Sequence, residues 1–502
     1  ILIINVFRPG YNETGERIRT TLSNEFSGNY TELNLEPLDE KESSSLISKL
    51  LKIRGLSALL KGQVTERSGG NPFFIEEVVR SLIDDGSIII KKGRFKKTDR
   101  IHNFSIPLTI NELLMSRIDR LDEDTKDLVK IASVIGRNFF RKIILQVAAD
   151  TPGIDARLNY LEDIQMIRER SRLDEIEYMF KHALIQETVY ESLLFQKRRD
   201  LHLQVADAIE NAFNDRLQDF YGMLAYHYSM GENLDRAEEY MLKAGDEALK
   251  SSASSEAVIY YKKALDLYSI QNPSGIDNKK IITLYCCIAS ALYNNGLFVE
   301  SIDIYNKILE HFGYKKNSSF FIYICTAWGL INFLTAIYVP VLKWKKIPDD
   351  RHKEVFNLCV SRARASTTCD PKNFFIETIT MLRWIVNYKI QEFNNGNEVL
   401  ASTSVIFTWT GISEKISMKI LNFSGKFIEQ KFSREYNMYR LSLQVHNVVW
   451  GYWDKISVDQ LLVDHWIKSG ELFWMTTYLA WTIHVYTIKG DGANSLKYIN
   501  TL

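Results

Sequence analysis

Along most of the chain apolar residues fall three and four positions apart, the spacing that puts them on one face of a helix. Two stretches near the start break this rule. Ile1-Leu2-Ile3-Ile4-Asn5-Val6 is a continuous apolar run of the kind a buried parallel strand needs, and Thr31-Glu32-Leu33-Asn34-Leu35 is short and alternating. With helical spacing over Arg17–Phe26 and from Pro37-Leu38-Asp39 through Leu51, the order strand, helix, strand, helix predicts the edge of an α/β sheet.

From Leu56 to Gly86 the pattern is helical, interrupted by Ser68-Gly69-Gly70-Asn71-Pro72. Two glycines and an Asn-Pro predict a tight break, followed by a helix with Phe74, Val78 and Leu82 on one face and glutamates in its first turn. The break is expected to present free backbone N–H groups and a rigid proline ring beside a helix start. Ser87 to Phe95 reads as a hairpin with a basic turn. Helices then follow around Leu113–Leu121, Leu128–Ile135, Ile143–Val147 and Ile154–Ile164, a charged hairpin over Met166–Arg172 and Glu175–Phe180, and a long helix from His182. Three helices and a two-stranded wing predict a winged helix.

Beyond residue 220 small and large residues alternate at fixed spacing: Leu224, Ala225, Tyr228, Ala237, Met241 and Ala244, and again Ile288, Ala289, Leu292, Gly296, Ser301, Tyr305 and Ile308. Ala257, Tyr261 and Ala264 fit a further helix between them. Small residues let paired helices approach where aromatic ones fill the groove, which is the logic of a tetratricopeptide unit. Ser318 to Leu342 carries no charge and is bracketed by Lys315, Lys316, Lys343, Lys345 and Lys346. Its length could span a bilayer, but Thr326, Gly329, Asn332, Thr335 and Pro340 favour a buried or membrane-surface helix. After Pro348 paired helices resume, with Trp384, Trp450, Trp453, Trp466, Trp474 and Trp481 along them as core aromatics.

Charge narrows the function. Sixty-two basic and sixty-two acidic residues cancel, so no overall field draws in nucleic acid or an anionic membrane. The candidate recognition helix of the winged helix sets Asp155, Glu162 and Asp163 against Arg157, which argues against DNA. Five cysteines, Cys286, Cys287, Cys325, Cys359 and Cys369, lack Cys-x-x-Cys spacing and suit a reducing cytoplasm. No Gly-x-x-x-x-Gly-Lys-Ser/Thr occurs, and no apolar strand ends in the paired acids that would hold a metal. The chain is therefore expected neither to bind ATP tightly alone nor to hydrolyse it, and no residue is assigned as catalytic or as a metal ligand.

Gly70-Asn71-Pro72 followed by Phe-Phe-Ile-Glu-Glu resembles the Gly-x-Pro element in the helical lid of STAND-class signalling ATPases, in the AAA-like branch attached to class III adenylate/guanylate cyclases, kinases and transcription activators. The resemblance covers about the first 270 residues. It implies that Pro72 lies against adenine, that Arg8 of Arg8-Pro9 senses the terminal phosphate, and that His182 of Phe180-Lys181-His182-Ala183-Leu184 touches the inner phosphates. It also implies ATP or ADP with Mg2+ as the cofactor of a complete parent, of which this chain would be a fragment. The fold class expected is mainly α. Residues 1–55 would be the C-terminal edge of the nucleotide-binding α/β domain, 56–100 the lid, 101–200 a winged helix, 201–315 TPR-like repeats, 316–347 an apolar helix and linker, and 348–502 further, incomplete repeats. The repeats would sense a protein partner, with self-association open, and regulate an attached effector such as a cyclase. Two alternatives stay beside this reading: a non-enzymatic TPR-type scaffold, and the regulatory part of a transcription activator.

Overall fold

The computed structural model describes residues 3–7, 13–51, 58–91, 94–103, 106–271, 278–314, 319–339, 345–428, 430–469 and 472–501. The chain is mainly α-helical and divides into two compact units, Ile1–Ala208 and Ile209–Leu502.

In the first unit α1 (Glu13–Glu25) and α2 (Glu40–Leu51) precede α3 (Ala58–Ser68), α4 (Pro72–Asp84) and an antiparallel hairpin of β1 (Ile88–Lys91) and β2 (Arg94–Lys97). The apolar face read from the sequence of α4 is buried: Phe74, Val78 and Leu82, joined by Ile75 and Val79, pack with Ile47, Val64, Ile88 and Leu113. The two strands expected upstream are not found among the described residues. Residues 3–7 and 31–35 are outside any strand, and Ile3 and Leu35 are 75% and 95% exposed. A strand needs a neighbour to take its N–H and C=O groups, and among the described residues none runs beside either segment. The α/β edge is thus absent from the described part of residues 1–55.

The remainder of this unit is α5 (Ile110–Asp119), α6 (Glu123–Ile135), β3 (Asn138–Phe140), α7 (Arg141–Val147), α8 (Ile154–Asp163), β4 (Ile167–Arg172), β5 (Glu175–Phe180), α9 (Ala183–Ser192) and α10 (Phe195–Ala212), the last crossing the boundary between units. The strands form one antiparallel sheet in the order β3-β5-β4, with Phe139 opposite Tyr178 and Glu169 opposite Tyr178 from the other side. Strand β3 was not anticipated, because three residues are too few to show alternation. The long helix expected from His182 is two helices: Leu193 is extended (φ −77°, ψ 139°) and ends α9. Arg141 and Arg157, the cations around α8, are committed to carboxylates, Arg141 to Asp155 at 2.7 Å and Arg157 to Asp122 and Asp124.

The second unit is an array of helices of the α-solenoid kind. It begins with α11 (Tyr221–Met230), α12 (Leu234–Lys250), α13 (Ser254–Gln271), α14 (Asn278–Asn294) and α15 (Phe298–His311), each packed on the next. The small and large positions read from the sequence are buried except for Gly296, which is exposed, and Ala237, Ala257, Ala264, Ala289 and Ser301 are buried almost completely. Gly245 shows the reason: a Cβ there would meet the Tyr261 ring at 2.5 Å. Next come α16 (Ser319–Tyr338), α17 (Asp350–Cys369) and α18 (Pro371–Asn387). Here the stacking skips, since α15 packs on α17 while α16 lies against α18. Phe333 of α16 is buried, whereas Ile324, Trp328 and Ile331 are exposed. Among the described residues no helix is long and apolar enough to cross a membrane. The array continues through α19 (Gly396–Trp409), α20 (Glu414–Gly425), α21 (Arg434–Val449), α22 (Gln460–Ser469), α23 (Leu472–Ile488) and α24 (Gly492–Ile499).

Candidate functional site

Of the four residues singled out by the sequence, Arg8 lies outside the described residues. Gly70 and Pro72 stand at the α3–α4 break and His182 at the β5–α9 junction. The fold brings these two places together. The Phe73 and His182 rings meet at 4.0 Å between centroids, tilted by 40°.

Gly70 is fixed by its surroundings. Its φ is +74°, its carbonyl accepts from the Leu38 N–H at 2.9 Å, and an added Cβ would lie 2.2 Å from the Leu38 carbonyl oxygen. Only glycine tolerates both constraints. The expectation of free backbone N–H groups at the break is not met. Gly69 donates to Glu66 O, Gly70 to Ser68 Oγ, Asn71 to Ser68 O, and Phe73 and Phe74 to Asn71 Oδ1. Asn71 is the N-cap and Pro72 the first helical residue, an arrangement that uses up the donors an anion would otherwise meet. What the break offers is the exposed Pro72 ring.

The glutamates expected in the first turn fall in the second, because α4 begins at Pro72. Each has a separate task. Glu76 pairs with Arg80 at 2.5 Å and with Lys181 at 3.3 Å, tying α4 to the residue before His182. Glu77, 1% exposed, faces the equally buried Arg117, which also meets Asp84 at 2.8 Å and the Ile164 carbonyl at 3.2 Å. Burial pushes the Glu77 carboxyl above the usual range, with Arg117 opposing the shift.

His182 is half-buried and its Nε2 atom is buried without a hydrogen-bond partner. Burial lowers its pKa; Glu76 opposes this, while Lys181, Arg80 and Arg137 lower it further. The imidazole is therefore held neutral, with one nitrogen unspent, in a neighbourhood of three cations and one nearby carboxylate. Such a place suits an anionic oxygen. Phe73, Lys181, Glu76 and Arg80 adjoin the residues named from the sequence, yet their mutual contact depends on α4 side chains reaching the β5–α9 junction. Only adjacency to Pro72 and His182 could have pointed to them.

Residues 39–96, from the start of α2 through the β1–β2 hairpin, match the family described as Domain of unknown function (DUF8739). An uncharacterized protein of Rhizobium meliloti (strain 1021) is 28% identical over 247 residues, which are 48% of this chain and 23% of that protein. The chain thus spans about a quarter of the curated relative's length. Among solved structures, a Signal Transduction ATPase with Numerous Domains (STAND) protein with a tetratricopeptide repeat sensor from Pyrococcus horikoshii aligns over 94% of this chain and 66% of its own, at 14% identity and a TM-score of 0.30. A TM-score that low carries no functional argument.

Proposed function

We propose that this chain is the lid, winged-helix and repeat-sensor portion of a nucleotide-dependent signalling switch of the STAND class, acting with a nucleotide-binding domain in a longer protein. The observation that carries the reading is the meeting of the Gly-x-Pro break with the β5–α9 junction through Phe73 and His182. Two motifs far apart in sequence, both drawn from the same resemblance, meet through one ring contact.

The order α6, β3, α7, α8, β4, β5 supports the winged-helix reading of residues 101–200. In the proposed site Pro72 supplies an apolar face for adenine, and the unpartnered His182 Nε2 supplies a contact for an inner phosphate within the field of Lys181, Arg80 and Arg137. A nucleotide touching both places would favour the conformation that holds them together. The metal and terminal phosphate are assigned to no described residue. A protein partner on the helices of the second unit would bias the same equilibrium and so reach an attached effector, for which a class III cyclase is one form. The commitment of Arg141 and Arg157 to carboxylates supports a protein rather than a nucleic-acid partner.

A specific observation favours the second reading, a repeat scaffold without nucleotide. Every N–H at the break has an acceptor within the chain. A titration of the full-length protein with fluorescent ADP separates the two. The switch predicts saturable binding that His182→Ala weakens about tenfold, a loss of about 1.4 kcal/mol, with Pro72→Ala weakening it less. Equal affinity in both variants and the parent, or no saturation in any, leaves the scaffold.

A further inference from the structure

Helix α16 has two unlike faces. One is fixed on α18: the Thr326 and Thr380 hydroxyls meet at 2.8 Å, Phe333 is buried, and at Gly329 the backbones approach until an added Cβ would lie 3.4 Å from the Ile379 carbonyl oxygen. On the other, Ile324, Trp328, Ile331, Thr335 and Tyr338 form one exposed stripe, spaced by four, three, four and three residues. Trp328 is 66% exposed, which a tryptophan without a partner rarely is.

The stripe asks nothing polar of whatever covers it. Thr335 donates its hydroxyl to the Ile331 carbonyl at 2.7 Å, Asn332 beside it donates its amide to the Trp328 carbonyl at 3.0 Å, and no charged residue occurs between Ser319 and Tyr338. A seam that repeats about every 3.5 residues is the geometry through which two helices pack side by side. The matching element is therefore another apolar seam, and a second copy of the chain supplies one. The stripe is nearly symmetric about Ile331, with Ile324 and Tyr338 seven residues to either side. Antiparallel pairing about that point sets Trp328 of each copy near Thr335 of the other, large beside small, as a self-complementary contact requires. With Val339 the stripe offers on the order of 600 Å2 per copy, or about 1,200 Å2 per pair, the lower end of the range for specific interfaces. A lipid surface is the poorer match, since helices that lie on membranes are rich in lysine and arginine. Helix α16 has none, and Lys419 of α20, which adjoins it, stands over the Tyr338 ring at 3.6 Å.

We infer that the exposed face of α16 is a self-association surface through which two copies of this chain pair, antiparallel, about Ile331. All its residues belong to the second unit, so it is independent of the proposed nucleotide site.

Sedimentation velocity of the full chain between about 1 and 100 µM tests the pairing, and a monomer–dimer equilibrium is expected in that range. Ile331→Lys, which brings two like charges together at the axis, is expected to weaken association at least about a hundredfold. Thr335→Leu, which adds an apolar side chain to the seam twice per dimer, is expected to tighten it about tenfold, a gain that a misfolded variant cannot give. A chain that stays monomeric at about 100 µM overturns the assignment, as does association that either substitution leaves unchanged. Pelleting of a monomeric chain with phosphatidylcholine vesicles, lost in Ile331→Lys, gives the face to lipid and overturns it as well.

Discussion

At position 70 two constraints coincide, and position 69 separates them. Both glycines have positive φ, +53° at Gly69 and +74° at Gly70, so alanine at either is strained by about 1–2 kcal/mol. At Gly69 nothing lies within 4 Å of an added Cβ. At Gly70 the Cβ would drive into the Leu38 backbone and break the Leu38 N–H to Gly70 O bond, adding about 0.5–1.5 kcal/mol for that bond alone. Gly70→Ala is therefore expected to cost visibly more than Gly69→Ala in urea unfolding, and to loosen the segment before α2. Equal losses would mean that the approach of Leu38 does not restrain the break. The sequence made Gly70 conspicuous as part of a nucleotide motif, whereas its immediate physical role is to let two backbones touch. Pro72, by contrast, is exposed.

At the scale of elements, helices were legible and their connections only partly so. The buried faces of α4, α12, α13 and α14 follow directly from apolar spacing, because a helix carries its periodicity within itself. Strands depend on neighbours, and the run Ile1–Val6 carried no information about whether a partner strand lies beside it. The N–H groups at the α3–α4 break were misread because capping is decided by where Ser68 and Asn71 turn, not by the glycines. Least legible were ion pairs between distant elements. Arg117 of α5 gathers Glu77 and Asp84 of α4 and the Ile164 carbonyl at the end of α8, so one side chain fastens three helices. Arg117→Met keeps most of the stem but leaves the buried Glu77 carboxylate only Arg80, 3.6 Å away, at a cost of up to about 3–5 kcal/mol. Glu77→Leu combined with Arg117→Met removes both charges and is expected to recover most of that loss. Unfolding in denaturant measures both. A double variant no more stable than the single one would show that the remaining bonds of Arg117, not its pairing with Glu77, hold the helices.

At the scale of the molecule, each compact unit carries its own core, so heating is expected to give more than one transition in scanning calorimetry. Acid offers a way to tell which is which. His202 of α10 is buried in the first unit, its Nε2 atom 3.0 Å from the Tyr190 hydroxyl, and burial pushes its pKa down to about 4, with Arg198 adding to the shift. The unfolded chain therefore takes up the proton first. The stability that His202 contributes is complete above about pH 6.5 and is lost as pH falls toward about 4. Glu77 acts in the opposite sense, since its raised pKa lets the folded state take a proton early and relieves the burial of its charge. His202→Gln keeps a partner for Tyr190 without a titrating group. Between pH 6.5 and 4 this variant should lower the transition of the first unit less steeply than the parent does, while the transition of the second unit follows the same course in both. His446, whose pKa burial lowers, lies in the second unit and is the same in both proteins. If the substitution shifts both transitions alike, or a single transition is seen at every pH, the two cores unfold as one and the division into units has no thermodynamic meaning.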